Sequence, residues 1–270
     1  MPDRAHIQTN AILSDLEVRL NRLYRRTGKR IKAEVDPLLE DIYLDEENVT
    51  QRQRLKHAER GGMGNLISAV AVLLVLANGR AADNINRSAK KIYGINFKGM
   101  ADLFKGATGV NIGSGTAGIG NLLSKYASRA YRRAVGRRHV SDKIFRELKK
   151  GIKRGESISR LAKRIDGMTR KYKNSALTTA RTETTRIESR ARMDAFDRAR
   201  ELGIETDAQW VATSGSRTRD SHAAMGGQIA KADEPFISGH GHELYYPGDP
   251  NAPPEETVNC RCVLVPVIRN

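Results

Sequence analysis

The feature that most constrains this chain is its close, Asn259-Cys260-Arg261-Cys262, followed by the apolar run Val263-Leu264-Val265-Pro266-Val267. These are the only two cysteines in 270 residues. A bridge between positions two apart would close a very small strained ring, so the thiols are expected to be reduced, in a cytosolic setting. The segment from Ala180 to Pro266 also holds the one tryptophan, Trp210, and half of the histidines. Short apolar runs alternate there with polar residues, and Gly and Pro mark the turns. This is the pattern of a compact domain with a specified polar constellation. Everything upstream reads as helix, a scaffold that places it.

Charge narrows the class of partner. The formal net charge is +16 and the pI about 10.1, which favours a polyanionic neighbour: nucleic acid, an anionic membrane surface or an acidic protein. Aromatic residues make up only 5%, so base-stacking platforms are scarce and helix interfaces must rest on Leu, Ile, Val and Ala. The polar N-terminus, Met-Pro-Asp-Arg-Ala-His, carries no secretory pattern.

Residues 7–60 are predicted helical, with an interruption at Pro37 and a break at Gly61-Gly62-Met63-Gly64. Leu66 to Ala77 is almost wholly apolar, yet shorter than the roughly 18–20 residues of a membrane helix. It is expected to be a helix buried on all sides, with a membrane-active segment as the alternative; the helix is expected to end near Tyr93-Gly94. Seven glycines from Gly99 to Gly120 argue against regular helix and predict a loop or linker over 97–120. The densest basic run follows: Lys125, Arg129, Arg132, Arg133, Arg137 and Arg138. It reads either as a solvated helix face or as a sequence-blind contact with nucleic-acid phosphates.

Val140-Ser141-Asp142 is expected to start a further helix, and Ser157 to cap another through Ile165. A long helix with a small-residue stripe is predicted from Asn174 to Gly203, with Gly203 as its C-terminal cap. Gln209-Ala212 and Val263-Val267 are strand candidates that could pair. The fold class is therefore α+β: a mainly helical N-terminal half with long helices, then a small C-terminal α+β domain with a short sheet. The boundary falls at 135/136.

The order Ala180-Arg181-Thr182-Glu183-Thr184, Trp210, Arg217-Thr218-Arg219 with His222, Pro247-Gly248-Asp249-Pro250 and Asn259-Cys260-Arg261-Cys262 resembles the phage Mu F-like, SPP1-type head morphogenesis family. The resemblance covers about residues 140–268, and Leu73 to Phe97 is similar to upstream parts of such proteins. It implies a minor capsid protein of a tailed phage, present in few copies. Its implied role is head assembly, genome packaging or delivery. The implied partners are the portal protein, capsid or scaffolding proteins, packaged double-stranded DNA and further copies of the chain. The implied location is the capsid interior or portal vertex, with the host cytoplasm during assembly.

His222, Cys260 and Cys262 are a candidate zinc set, since thiolate and imidazole are zinc's usual soft ligands. In relatives, cysteines can stand at the positions of Arg219 and His222. Here Arg219 leaves a fourth ligand to be found, with His240, His242 and Asp220 as candidates. The alternative is a histidine bonded to backbone and two small buried thiols. Arg181, Glu183, Arg217, Arg219 and His222 form a second set, with Trp210 and Asn259 as further structural motif residues. In the structural reading, Glu183 receives Arg217 or Arg219 and locks loops onto the long helix. In the competing reading, Glu183 and His222 serve a metal-dependent nuclease or transferase as acid and base. A third reading is a non-specific DNA-binding protein. No catalytic residue is assigned in the favoured, non-enzymatic reading.

Overall fold

The computed structural model describes residues 3–42, 49–60, 62–114, 137–213, 215–216 and 218–269, with backbone alone at Asp41, Arg137 and Arg138. Among the described residues, five helices come first: α1 (Arg4–Ile42), α2 (Gln51–Arg60), α3 (Met63–Thr108), α4 (Arg137–Lys153) and α5 (Ile158–Glu201). The C-terminal part contains β1 (Thr206–Val211), α6 (Asp220–Ala223), β2 (Ile229–Ala230), β3 (Phe236–Ile237), β4 (Glu243–Leu244), α7 (Pro254–Thr257) and β5 (Val263–Ile268). The α+β class read from the sequence is what the chain adopts.

Local chemistry sets the helix ends. Asp3 caps α1, its carboxylate accepting the His6 N–H at 2.9 Å. Thr50 and Gln53 form a reciprocal capping box at the start of α2. Gly203 closes α5 as expected: with φ of +84°, its N–H reaches Arg200 O and the Ile204 N–H reaches Ala199 O. That paired pattern satisfies carbonyls the helix end would otherwise orphan. Gly155 closes α4 in the same way, its N–H on Ile152 O and that of Glu156 on Gly151 O.

The chain divides into two compact units. One takes the N-terminus up to Glu17, the chain from Asn84, and everything from Leu177 onward; the other takes Val18–Asp83 and the segment ending at Ala176. In the second unit, the core joins Ile31, Val35 and Leu39 of α1, Leu66, Val70 and Leu74 of α3, Ile144 and Leu148 of α4, and Leu161 and Ile165 of α5. Arg164 ties its α4–α5 corner, meeting both carboxylate oxygens of Glu156 at 2.5 and 2.6 Å and Glu147 at 3.1 Å.

The unit that carries the C-terminus packs Ile92, Phe97, Met100 and Phe104 of α3 and the Ala191–Ala195–Ala199 stripe of α5 against Trp210, Leu244 and Leu264. Its sheet has the order β2-β1-β5, all antiparallel, with Val211 opposite Val263 and Thr206 opposite Ile268. The predicted pairing of the two long strands is present. Pro266 sits on the outer strand, where a missing N–H costs no central ladder bond. β3 and β4 form a separate hairpin.

Five expectations about elements are corrected. α1 runs unbroken through Pro37, its buried Val35, Leu39 and Ile42 remaining on one face across the lost N–H. α3 does not stop near Gly94 but continues to Thr108, so 97–108 is helix rather than loop. Gly99 explains the misreading: a Cβ there would lie 2.9 Å from that of Ala5, so this glycine serves close packing of α3 on α1 and does not end the helix. α4 is already helical at Arg137, and the two helices expected over 157–165 and 174–203 are one, α5. The apolar run is also one-sided. Leu66, Val70, Ala71 and Leu74 are buried, but Val72 and Leu76 are 39% and 51% exposed. Among the described residues, α3 is the one helix long and apolar enough to cross a membrane; its most apolar 18-residue window is 44% buried.

Candidate functional site

The site is built where three segments meet: the middle of α5, the short helix α6 after β1, and the turn from α7 into β5. α5 supplies Ala180-Arg181-Thr182-Glu183-Thr184 as a fastening face. The Thr182 hydroxyl accepts the Asn259 N–H at 3.1 Å, and the Thr185 hydroxyl donates to Cys260 O at 2.5 Å. Asn259 adopts φ of +58°, a left-handed conformation that Asn tolerates better than most residues. This turn sends the chain from α7 into the Cys-Arg-Cys segment. Cys260 and Cys262, at i and i+2 of extended chain, then face the same side. The Pro247-Gly248-Asp249-Pro250 turn docks on the same helix: Arg186 Nε donates to Gly248 O at 2.9 Å. Asp249 closes that turn by accepting the N–H groups of Tyr245 and Asn251.

His222, on α6, points its Nδ1 at both sulfurs, 3.5 Å from Cys260 Sγ and 3.5 Å from Cys262 Sγ. All three residues are buried, and Trp210 stands edge-on to the imidazole with ring centroids 5.5 Å apart. The indole Nε1 itself has no partner among the described residues. On the far side of the ring, Nε2 lies 3.0 Å from Glu256 Oε2, within ion-pairing distance but out of line for a hydrogen bond. Glu256 is fully buried. Burial opposes its ionisation, but hydrogen bonds from Ser221, His242 and Ser238, with the His222 charge, bring its pKa down to about 2. The two thiols share a proton unequally. The Cys260 S–H holds the Cys262 thiol well below its ordinary range against the penalty of burial, and Cys260 is pushed correspondingly up.

These donors fit a metal ion. Zinc–sulfur and zinc–nitrogen bonds of about 2.3 and 2.0–2.1 Å at a tetrahedral angle place S and N roughly 3.5–3.6 Å apart. Both measured S···N separations are 3.5 Å. A carboxylate behind the other ring nitrogen is the usual support for a metal-bound histidine. A cavity of about 440 Å³ reaches the three donors and is lined by Arg181, Thr213, Thr218 and Arg219. Of the candidates for a fourth ligand, His240 and His242 gather around Glu256 instead, and Asp220 is exposed and belongs to neither group.

Of the second predicted set, Arg219 does not reach Glu183, and Arg217 lies outside the described residues. Glu183 Oε1 accepts from Arg186 Nη1 at 2.6 Å, one turn along its own helix, and Oε2 has no partner among the described residues. Burial raises the Glu183 pKa, with Arg186 opposing the rise. Arg219 donates to the Val258 carbonyl and Arg181 to Glu17 at 2.6 Å. Short i,i+3 reach within α5 supplies Glu183 with a cation that needs no loop to close. Arg217, Lys125, Arg129, Arg132 and Arg133 lie outside the described residues, as do the side chains of Arg137 and Arg138. The cavity that reaches His222 is lined by Arg181, and Glu183 is not among its lining residues.

Sequence reasoning missed Glu256 and Arg192. Arg192 is fully buried on α5 and uses all five of its N–H donors: two on Asp3 at 2.6 and 2.9 Å, and one each on Glu188, Asn96 and Leu264 O. It thereby ties together all three segments of its unit. The one signal for Glu256 was three histidines in one loop-rich segment with no acid assigned to them.

Residues 142–265 match the family described as phage Mu protein F like protein. Minor head protein GP7 of Bacillus phage SPP1 is 24% identical over 268 residues, covering 95% of this chain and 83% of that protein. NAD(+)–arginine ADP-ribosyltransferase EFV of Enterococcus faecalis is 30% identical over 136 residues, 49% of this chain. YqbB of Bacillus subtilis, an uncharacterized protein, is 30% identical over 124 residues, 45% of this chain. The chain spans only 27% of the enterococcal protein and 40% of the Bacillus subtilis protein. No solved structure matches the chain.

Proposed function

We propose that this chain is a minor head protein of a tailed phage, lodged at the portal vertex or capsid interior and acting in head assembly and genome packaging or delivery. The observation that carries this reading is the near full-length similarity to the SPP1 minor head protein, which extends well beyond residues 142–265. In this reading the α5 face, the Pro247–Pro250 turn and the His222–Cys260–Cys262 cluster fix one rigid surface for portal or capsid partners. Zinc held by the two thiolates and His222 Nδ1 would fasten the C-terminal segment. A structural role also accords with how the candidate acid and base are occupied, Glu183 by Arg186 and His222 by the thiols and Glu256. Deleting the gene from a phage that encodes it is expected to lower the yield of infectious, DNA-filled heads, and wild-type protein in trans to restore it. Undiminished yield overturns the reading.

The similarity to an ADP-ribosyltransferase supports a second reading, an enzyme that uses Glu183 and His222, but it covers 27% of that protein. Purified chain incubated with NAD+ and an arginine-bearing acceptor, or with DNA and a divalent metal, distinguishes the two. Turnover abolished by Glu183→Gln or His222→Asn in a folded chain would establish the enzyme.

A further inference from the structure

The loop Ser238-Gly239-His240-Gly241-His242 joins the two strands of the β3–β4 hairpin and leans over α7. His240 Nδ1 and His242 Nδ1 lie 3.1 and 3.2 Å from the same oxygen, Glu256 Oε1. The Ser238 hydroxyl donates to that oxygen as well, at 3.0 Å. As hydrogen bonding alone, the arrangement crowds three donors onto one oxygen and requires both imidazoles to carry their proton on Nδ1. A carboxylate oxygen offers about two lone-pair sites. A cation between the three atoms removes the crowding, because each Nδ1 then turns a lone pair inward and leaves its proton on Nε2.

We propose that His240, His242 and Glu256 form a divalent transition-metal site of the zinc type, separate from the thiol cluster. Metal–nitrogen and metal–oxygen bonds of about 2.0–2.2 Å separate such ligands by roughly 2.9 Å at octahedral and 3.4 Å at tetrahedral angles. The observed 3.1 and 3.2 Å fall between those limits. Two imidazoles and a carboxylate suit zinc, nickel, cobalt or copper and are a poor match for calcium, which takes oxygen ligands.

The loop is pre-organised for this. Ser238 Oγ accepts the N–H groups of both His240 and His242, at 3.3 and 3.2 Å, which holds the two imidazoles on one side. Gly239 packs so closely that a Cβ would stand 3.0 Å from the Ser221 Cα, and Gly241 takes φ of +79°. The Gly-His-Gly-His spacing is thus what the backbone needs to present both rings. Glu256 is fully buried and fixed from its other oxygen by Ser221 at 2.8 Å. The imidazole side is open: the His240 side chain is 62% exposed and that of His242 36%. Coordination positions beyond the three protein ligands therefore face outward, where a histidine or carboxylate of a neighbouring head subunit can complete them. Because Glu256 touches the thiol cluster through Oε2 and this site through Oε1, one buried carboxylate would connect the two.

The test uses untagged full-length chain freed of metal by a chelator and titrated with Zn2+, with stoichiometry read by native mass spectrometry and calorimetry. Wild type is expected to bind one equivalent more than His240→Ala/His242→Ala, one position exposed and the other half-buried, with the fold, followed by circular dichroism, unchanged. Cys260→Ser/Cys262→Ser, if folded, is expected to keep the equivalent that the histidine variant loses. Co2+ bound in the cysteine variant is expected to lack the intense near-ultraviolet absorption of a thiolate complex. Equal stoichiometry and affinity in wild type and the histidine variant overturn the site, whatever the thiols do.

Discussion

At the scale of single residues, the buried guanidinium of Arg192 is the most demanding side chain in its unit. Its five donors are all satisfied, two of them by a bidentate contact with Asp3. Removing one partner of a buried ion pair leaves the other charge uncompensated, which typically costs about 3–5 kcal/mol. Arg192→Met is therefore expected to destabilise the chain by an amount in that range in urea unfolding. Arg192→Lys, with three donors in place of five, is expected to recover only part of it. Glu156 supplies a pH signature in the other unit. Its pKa is lowered, first by the hydrogen bond from Arg164. A carboxyl depressed on folding stabilises fully above its unfolded pKa, about 4.3, and loses that contribution as pH falls through the folded value. The stability difference between wild type and Glu156→Gln should be constant from pH 7 to about 5 and shrink below about 4.3. A difference that grew on acidification would contradict the assignment.

At the scale of elements, the turn that fastens the β4–α7 connection to α5 rests on Gly248. Its φ is +79°, and a Cβ would lie 3.2 and 3.3 Å from the N and Cα of Arg186. Strained left-handed backbone alone costs of order 1–3 kcal/mol, so Gly248→Ala is expected to destabilise by at least about 1 kcal/mol. Hydrogen exchange should show that the amides of Tyr245 and Asn251, held by Asp249, lose protection first. The pairing of β1 with β5 and the Gly203 cap were legible because alternation and cap chemistry are local. Gly99 misled because its role, the approach of Ala5, lies 94 positions away along the chain. The His222–Cys260–Cys262 cluster was legible from residue type, whereas Glu256 was not, since nothing in the sequence marks it as buried and its neighbour Glu255 as exposed. The Arg186 contact of Glu183 Oε1 was not read from the sequence, although an i,i+3 neighbour on the same helix stands within reach.

At the scale of the whole molecule, a net charge of +16 suits a protein near packaged DNA. The purified chain is expected to bind duplex DNA of any sequence, with log K falling linearly in log salt, as fluorescence anisotropy would record. Affinity indifferent to salt would contradict phosphate contact. If the proposed function holds, the chain is a component of the phage head, and quantitative mass spectrometry of purified particles and their empty precursors will detect it there. Peptides from both the α1–α3 helices and residues 142–265 are expected in both kinds of particle, at a few copies per particle. Absence of the chain from every particle, with the protein found free in the host, would contradict it.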